Sequence, residues 1–206
     1  LRTLASEANA GGMLGAKAGV LHLHVGDGEE GLQSLFRLVE ESDFPINMFV
    51  PTHINRNATL FDQGIEFLKK GGQIDLTAGE TKGYSVAEAL AMLVAQGINL
   101  EKVTVSSDGN GSASNESGIS NIDQLFYDIR ACILENNLQL SMVIKTVTLN
   151  PARILKLYPQ KGCLLPGSDA DILILRENDL SIYRLLARGQ VVVEDQKAVK
   201  KGKYEN

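Results

Sequence analysis

Short apolar runs alternate four times with segments of helical spacing in the first two thirds of the sequence, and this alternation constrains the fold most. The runs lie at 20–25, 47–50, 73–77 and 103–107, and helical spacing follows at 29–42, 57–70, 85–96 and 119–135. Strands joined through helices run parallel, and continuous apolar runs are typical of strands buried on both faces. The sequence therefore predicts an α/β fold of about four strand–helix units, arranged as half of an eight-stranded barrel or as a small open sheet.

The pattern changes after Pro159. A further helical segment at 141–157 leads into a turn-rich stretch at 162–167, and three β-like segments follow at 171–175, 182–187 and 191–194. Arg188-Gly189-Gln190 is a candidate hairpin turn between the last two. We therefore expect two parts, residues 1–160 with the strand–helix units and residues 161–206 with a small set of strands.

Charge and composition exclude several classes of protein. The 206 residues carry a formal net charge of −5, which disfavours nucleic acid as a partner. No apolar run approaches the length of about 20 residues that a membrane span needs, and the start shows no signal-peptide pattern. Two cysteines, Cys132 and Cys163, are too few for a disulfide scaffold, so a reduced, cytoplasmic protein is expected.

Polar residues stand at the carboxyl ends of three of the predicted strands: His24, His53 and Asp108. Ligand-binding groups gather at that end in parallel α/β folds, and imidazole and carboxylate are good zinc ligands. Three such ligands with one open position describe a catalytic metal site, while unrelated strand-end residues are the alternative. His22 shares a face with His24, but it lies one pleat deeper, which favours a hydrogen-bonded core histidine over a ligand.

Arg56 and Ser112 are the candidate substrate-binding residues. Arg56 lies three residues after His53, at a helix start where a cation is unfavourable, and a guanidinium there could clamp a carboxylate. Ser112 ends the polar loop 106–112 and could bind an anionic group. Neither this loop nor 26–31 matches a nucleotide-binding glycine pattern, and both contain Asp, which repels phosphate.

Several segments carry a family resemblance. The segment 148–155 (Thr-Leu-Asn-Pro-Ala-Arg-Ile-Leu), with 161–162 and 166–172, resembles the C-terminal hallmark of the amidohydrolase superfamily. The segments 51–57, 106–112 and 11–15 are similar to those of the isoaspartyl (β-aspartyl) dipeptidases within it. The resemblance implies a distorted TIM barrel with a small β-sandwich domain, a site for two zinc ions, and hydrolysis of isoaspartyl dipeptides. Residues 1–160 would then form the second half of the barrel, and residues 161–206 the C-terminal part of the sandwich.

The resemblance also implies a role for each candidate residue. His24 and His53 are similar to two ligands of one metal, Asp108 to a ligand of the other metal and the general base, and Arg56 and Ser112 to contacts for the substrate's α-carboxylate. The family's N-terminal His-x-His pair and bridging carboxylated Lys have no counterpart in this sequence, so the chain resembles the C-terminal part of such an enzyme. Half a barrel has open edges, and we therefore expect the chain either to associate with further copies of itself or to be only marginally soluble. Another amidohydrolase reaction, on a cyclic amide or by deamination, and an inactive fragment are the alternatives.

Overall fold

The computed structural model describes residues 1–111 and 119–202. In that part of the chain, strands and helices alternate through the first two thirds, and short antiparallel strands follow. The helices are α1 Arg2–Leu14, α2 Gln33–Glu40, α3 Ala58–Lys69, α4 Val86–Ala95, α5 Gln124–Leu134, α6 Leu140–Val143 and α7 Leu149–Ile154. The strands are β1 Leu21–His24, β2 Phe49–Thr52, β3 Ile74–Thr77, β4 Val103–Ser106, β5 Ile172–Leu175, β6 Ile182–Ala187, β7 Gln190–Glu194 and β8 Lys197–Ala198. The predicted α/β class is confirmed.

The first four strands form two parallel pairs. β1 pairs with β2 so that His24 lies opposite Thr52, and β3 pairs with β4 so that Thr77 lies opposite Ser106. The pairs meet where the Ile54 amide donates to the Asp75 carbonyl at 3.3 Å. All four carboxyl ends therefore lie at one edge. Among the described residues, β1 pairs on one side only, as does β4.

A continuous apolar core joins these strands to the helices that follow them. Its largest fully buried side chains include Phe49 on β2, Phe61 and Phe67 on α3, and Leu90 on α4. The rings of Phe36 and Phe67 meet edge to face at 5.8 Å, which packs α2 against α3. Burial of these helix faces fixes the helices against the strands and leaves the strand ends free for polar side chains.

The expectation of continuous apolar strands is wrong in one respect. Polar residues alternate with apolar ones as His-x-His on β1, Asp-x-Thr on β3 and Thr-x-Ser on β4. Alternate residues of a strand share one face, so these polar side chains collect on a single side of the strands. That side contains Asp75, Thr77 and Thr104, which are all buried.

Two elements differ from the prediction. The sequence patterns predict no helix before β1, yet α1 lies there with Gly11 and Gly12 inside it. The segment 141–157 is not one helix but α6, a 3₁₀ turn at Ile144–Val147 and α7. Pro151 sits in the first turn of α7, where its missing N–H leaves no hydrogen bond unmade.

The C-terminal strands form one antiparallel sheet in the order β5-β6-β7-β8. The predicted hairpin is confirmed: Ala187 pairs with Gln190, and the two turn residues Arg188 and Gly189 have φ of 49° and 75°. Both values are those of a type I′ turn, which matches the strand twist. The Arg130 guanidinium of α5 donates to the Asp179 carbonyl at 2.7 Å, which joins the sheet to the helical part. No helix in the described ranges is both long and apolar enough for a membrane crossing.

One buried amide ties the ends of β2 and β3 together. Asn55 is fully buried, and its Nδ2 donates to the carbonyls of Thr77 and Tyr84 at 3.0 and 2.9 Å. Its Oδ1 accepts from the Thr77 amide at 2.8 Å. These three bonds satisfy backbone groups that leave the strand ladder, so Asn55 fixes the loops on which the polar strand-end residues lie.

We expect Asn55→Ala to destabilise the fold by about 2–4 kcal/mol, because three buried backbone groups lose their partner. Asn99→Ala is the matched control, since Asn99 is exposed and its side chain accepts a single bond from the Glu101 amide. That change should cost about 1 kcal/mol or less. Urea unfolding followed by circular dichroism measures both values, and equal losses would contradict the role given to Asn55.

Candidate metal centre

Three side chains from three different strand ends meet at the carboxyl edge. His24 is the last residue of β1, His53 follows β2, and Asp108 stands two residues after β4. His24 Nδ1 lies 3.0 Å from His53 Nε2 and 3.9 Å from Asp108 Oδ1, and His53 Nε2 lies 3.9 Å from Asp108 Oδ2. One ligand atom from each lies within 4.8 Å of the others. The sequence prediction that these residues converge agrees with this geometry.

The backbone turns sharply at two of the three residues. His53 has a φ of 64° and Asp108 a φ of 46°, both in the left-handed region. His, Asp and Asn enter this region more readily than other residues that have a Cβ, but the conformation still costs energy. In both loops the turn follows directly after a buried strand and brings the side chain back over the strand end. Such strain is common at functional sites.

His24, His53 and Asp108, together called the metal-ligand cluster, have a buried side and an open side. The His53 side chain is 4% exposed, that of Asp108 17% and that of His24 61%. Burial lowers the pKa of His53, and the nearby Arg56 guanidinium lowers it further. His53 is therefore held as the neutral imidazole, the form that binds metal ions. Solvent reaches the cluster from the side of His24.

The donor set fits a zinc ion. Zinc bonds to nitrogen and oxygen at about 2.0–2.1 Å, so neighbouring ligand atoms of a tetrahedral site are about 3.4 Å apart. The two ring nitrogens lie 3.0 Å apart, and each lies 3.9 Å from a different oxygen of Asp108, so the separations are close to that value. Two imidazoles and one carboxylate also leave a fourth position for water or substrate, as catalytic zinc sites do. His24, His53 and Asp108 could thus hold one ion together, or share two.

A buried carboxylate lies beneath the cluster. Asp75 is 3% exposed, and its oxygens accept from Thr52 Oγ1 at 2.5 Å, Thr104 Oγ1 at 2.6 Å and Ser106 Oγ at 2.6 Å. Burial by itself raises the pKa of Asp75, but its contacts with His22, Ser106, Thr104 and Thr52 outweigh that effect and hold this pKa below its usual value. Asp75 is therefore a charged group in the interior, compensated by hydroxyl donors from β2 and β4.

His22 contacts this carboxylate and not the metal-ligand cluster. Its Nε2 lies 3.7 Å from Asp75 Oδ2, and the contact with Asp75 raises the pKa of His22. The preference for a non-ligand role agrees with this position. The expectation that His22 is a core residue is wrong, because 47% of its side chain is exposed. β1 is an edge strand among the described residues, which leaves that face of His22 uncovered.

Arg56 lies beside the cluster and is held by acidic groups. Its Nη1 donates to the Val25 carbonyl at 3.0 Å, and its Nε lies 3.4 Å from Glu80 Oε2 and 3.7 Å from Asp27 Oδ1. The side chain is 23% exposed. These partners offset the unfavourable position of a cation before α3, and they fix the guanidinium at the edge of the site.

Ser112 lies outside the described residues, so its predicted place beside the site stays a prediction. The adjoining loop is well defined: Asn110 N donates to the Ser120 carbonyl, and Ser120 N donates to the Gly111 carbonyl. A Cβ on Gly111 would lie 2.5 Å from Asp108 Oδ2. Glycine is therefore required at position 111 for the Asp108 carboxylate to occupy its place.

Two features of the site were missed from the sequence. The first is Asp75 with its hydroxyl partners, although the alternating polar residues on β3 and β4 signal a polar inner face. The second is Glu80, whose side chain is 9% exposed against Arg56. Glu80 follows a loop glycine and has no spacing pattern that would distinguish it from a surface carboxylate.

The sequence matches a known protein family and a known enzyme. The model of the amidohydrolase family matches residues 49–193. A D-phenylhydantoinase of Escherichia coli O1:K1 / APEC is 30% identical over 104 residues, which cover 50% of this chain and 20% of that protein.

Solved structures share the fold. A β-aspartyl dipeptidase from Fervidobacterium islandicum AW-1, in complex with a β-Asp-Leu dipeptide, is 36% identical with a TM-score of 0.89 over 99% of this chain and 55% of that one. The atrazine chlorohydrolase TrzN from Arthrobacter aurescens TC1, complexed with zinc, shares the fold at 17% identity, with a TM-score of 0.59 over 97% of this chain and 49% of that one. The chain spans about half the length of these two proteins.

We expect the chain to bind zinc through His24, His53 and Asp108. The variant His24→Ala should bind zinc about 100-fold or more weakly, because one of the three ligands is lost. His22→Ala is the matched control, since His22 lies on the same strand and face but outside the cluster. Its zinc affinity should stay within about threefold of the unmodified chain. Competition with a fluorescent zinc chelator measures both, and equal losses would contradict the ligand assignment.

Proposed function

Because the chain belongs to the amidohydrolase family, we propose that it carries the metal-binding strand ends of a hydrolase that cleaves isoaspartyl dipeptides. The observation that carries this proposal is the convergence of His24, His53 and Asp108 within 4.8 Å, with the Arg56 guanidinium beside them. A metal site next to a fixed cation suits a substrate that has both a scissile amide and a carboxylate.

The proposal includes an architecture. We propose that residues 1–160 form the second half of a distorted TIM barrel and that residues 161–206 belong to a small β-sandwich domain. The parallel pairs β1–β2 and β3–β4 and the antiparallel sheet β5–β8 support this assignment. The shared edge of strand carboxyl ends is where catalytic groups lie in such barrels.

The chain's own residues have distinct tasks in this reaction. When bound by His24, His53 and Asp108, zinc supplies an acidified water and polarises the scissile carbonyl. Asp108 is 17% exposed and can accept the proton of the attacking water and deliver it to the leaving amine. His53 is buried with Thr77 Oγ1 2.8 Å from its Nδ1, and His24 borders the open side from which the dipeptide arrives.

Arg56 is proposed to bind the substrate's α-carboxylate, with Ser112 as a second contact. The guanidinium is already oriented by the Val25 carbonyl and by Glu80, so little side-chain entropy is lost when a carboxylate docks. The structure of the Fervidobacterium islandicum protein contains a β-Asp-Leu dipeptide, and its likeness extends over 99% of this chain. Together these points favour a small dipeptide over a larger substrate.

A second candidate is hydrolysis of a cyclic amide, and the likeness to the D-phenylhydantoinase over half the chain favours it. A neutral ring needs the same metal and proton acceptor but no cation for a carboxylate. The two candidates therefore differ in their dependence on Arg56.

We expect Asp108→Asn to lower kcat by about 100-fold or more, because the amide cannot accept the proton of the attacking water. Asp123→Asn is the control, since Asp123 is exposed at the start of α5 without a side-chain capping bond, and kcat should stay within about twofold. Steady-state kinetics of the longest polypeptide that the gene encodes, loaded with zinc, measure both. Equal kcat values in the two variants would contradict the role of Asp108 as the proton acceptor.

We expect Arg56→Met to lower kcat/KM for β-Asp-Leu by about 10- to 100-fold, mainly through KM, because a charge-assisted bond to the carboxylate is lost. A neutral hydantoin should show little change. Arg37→Met is the control, because Arg37 is exposed and pairs with Glu30. Faster turnover of the hydantoin than of β-Asp-Leu by the unmodified protein would favour the cyclic amide, and turnover of neither would favour an inactive fragment.

A further inference from the structure

The buried ring nitrogen of His53 faces away from the metal-ligand cluster and contacts a threonine. His53 Nδ1 lies 2.8 Å from Thr77 Oγ1, and His53 Nε2 faces His24 and Asp108. A neutral imidazole carries one proton, on either nitrogen. Only the form with the proton on Nδ1 leaves the Nε2 lone pair free for a metal ion. The tautomer of His53 therefore decides whether the cluster can bind.

A line of hydroxyl groups leads from this nitrogen to Asp75. Thr77 Oγ1 lies 3.4 Å from Thr52 Oγ1, the longest link in the line, and Thr52 Oγ1 lies 2.5 Å from Asp75 Oδ2. The Thr104 and Ser106 hydroxyls lie 2.6 Å from the same carboxylate. Hydroxyl donors that converge on two oxygens suit an ionised carboxylate, which only accepts hydrogen bonds.

The carboxylate favours one direction for the bonds in the line. Each hydroxyl has a single proton, and the proton of Thr52 is committed to Asp75. Thr52 Oγ1 can then only accept from Thr77, and Thr77 satisfies it by donating along the 3.4 Å contact. In that arrangement Thr77 Oγ1 accepts from His53 Nδ1, which carries the ring proton.

We propose that Asp75 is a positioning residue which, through Thr52 and Thr77, holds His53 in the tautomer that offers Nε2 to a metal ion. Asp75 does not touch the ligand atoms of the cluster, and its effect passes through two neutral hydroxyls. Hydrogen-bond partners that do not themselves bind the metal orient metal-binding histidines in this way and fix their tautomers.

The test is the tautomer of His53 in the metal-free chain, read from long-range ¹H–¹⁵N correlation spectra at a pH where the imidazole is neutral. The chain has three histidines, so the spectrum is simple, and His53→Asn assigns the signal. We expect the Nδ1-protonated pattern in the unmodified protein. The Nε2-protonated pattern would overturn the proposal.

Thr52→Val and Thr104→Val form a matched pair. Both threonines are buried and both donate to Asp75, but only Thr52 links to Thr77. We expect Thr52→Val to shift His53 toward protonation on Nε2, because Thr77 is then free to donate to Nδ1. Thr104→Val should keep the original tautomer, and Thr52→Ser, which keeps the hydroxyl, should restore it. Equal spectra for Thr52→Val and Thr104→Val would overturn the proposal.

Thr77→Val provides a second route if Thr52→Val does not fold. It removes the acceptor next to Nδ1, so protonation should move to Nε2; an unchanged tautomer would overturn the proposal.

Zinc affinity gives an independent readout. Its interpretation rests on the proposed metal function. Thr52→Val should weaken zinc binding by about 10- to 100-fold and Thr104→Val by less than about threefold. Failure of the unmodified chain to bind zinc would contradict the proposed function alone, because the tautomer is measured without metal.

Discussion

The buried charge of Asp75 is the constraint on which the site depends. An ionised carboxylate in the interior is stable only when hydrogen-bond donors surround it, and here donors come from β2 and from β4. The two parallel pairs are thereby joined across β3 at the depth just below the metal-ligand cluster. Apolar packing holds the helices against the strands, but this polar contact fixes how the four strand ends stand relative to one another.

The loops add a second constraint. After β2 and after β4 the chain enters left-handed conformations at His53 and Asp108, and neither turn is stable alone. Asn55 stabilises the first through two bonds to Thr77 at the end of β3 and one to the Tyr84 carbonyl in the loop that follows. The second closes through the backbone bonds between 110–111 and Ser120, with Gly111 leaving room for the Asp108 carboxylate. Strain at the site is thus balanced by bonds directly beside it.

Much of this arrangement was predictable from the sequence. The alternation of strands and helices predicted the α/β class, and strand-end positions singled out His24, His53 and Asp108 before any geometry was known. The alternating polar residues on β3 and β4 indicate a polar inner face equally strongly, because alternate residues of a strand share one face. Helix α1 is different: glycine is required at position 12 because Gly19 Cα lies 2.5 Å from where a Cβ of Gly12 would be, so this glycine allows two backbone segments to pack closely and does not end the helix. The left-handed turns and the partners of Arg56 also depend on tertiary contacts, which no local pattern encodes.

The division between a buried and an exposed histidine follows from these constraints. His53 is enclosed by β2 and β3, so its position and proton are determined by the interior, whereas His24 ends a strand that pairs on one side in the described part of the chain. The proposed ligand set therefore has one buried member, His53, and one accessible member, His24. Arg56 pairs with Asp27 and Glu80 through its Nε, so a carboxylate that binds the guanidinium shares it with them. A substrate recognised there must gain more from its other contacts, above all from the metal, than the weakening of those ion pairs costs.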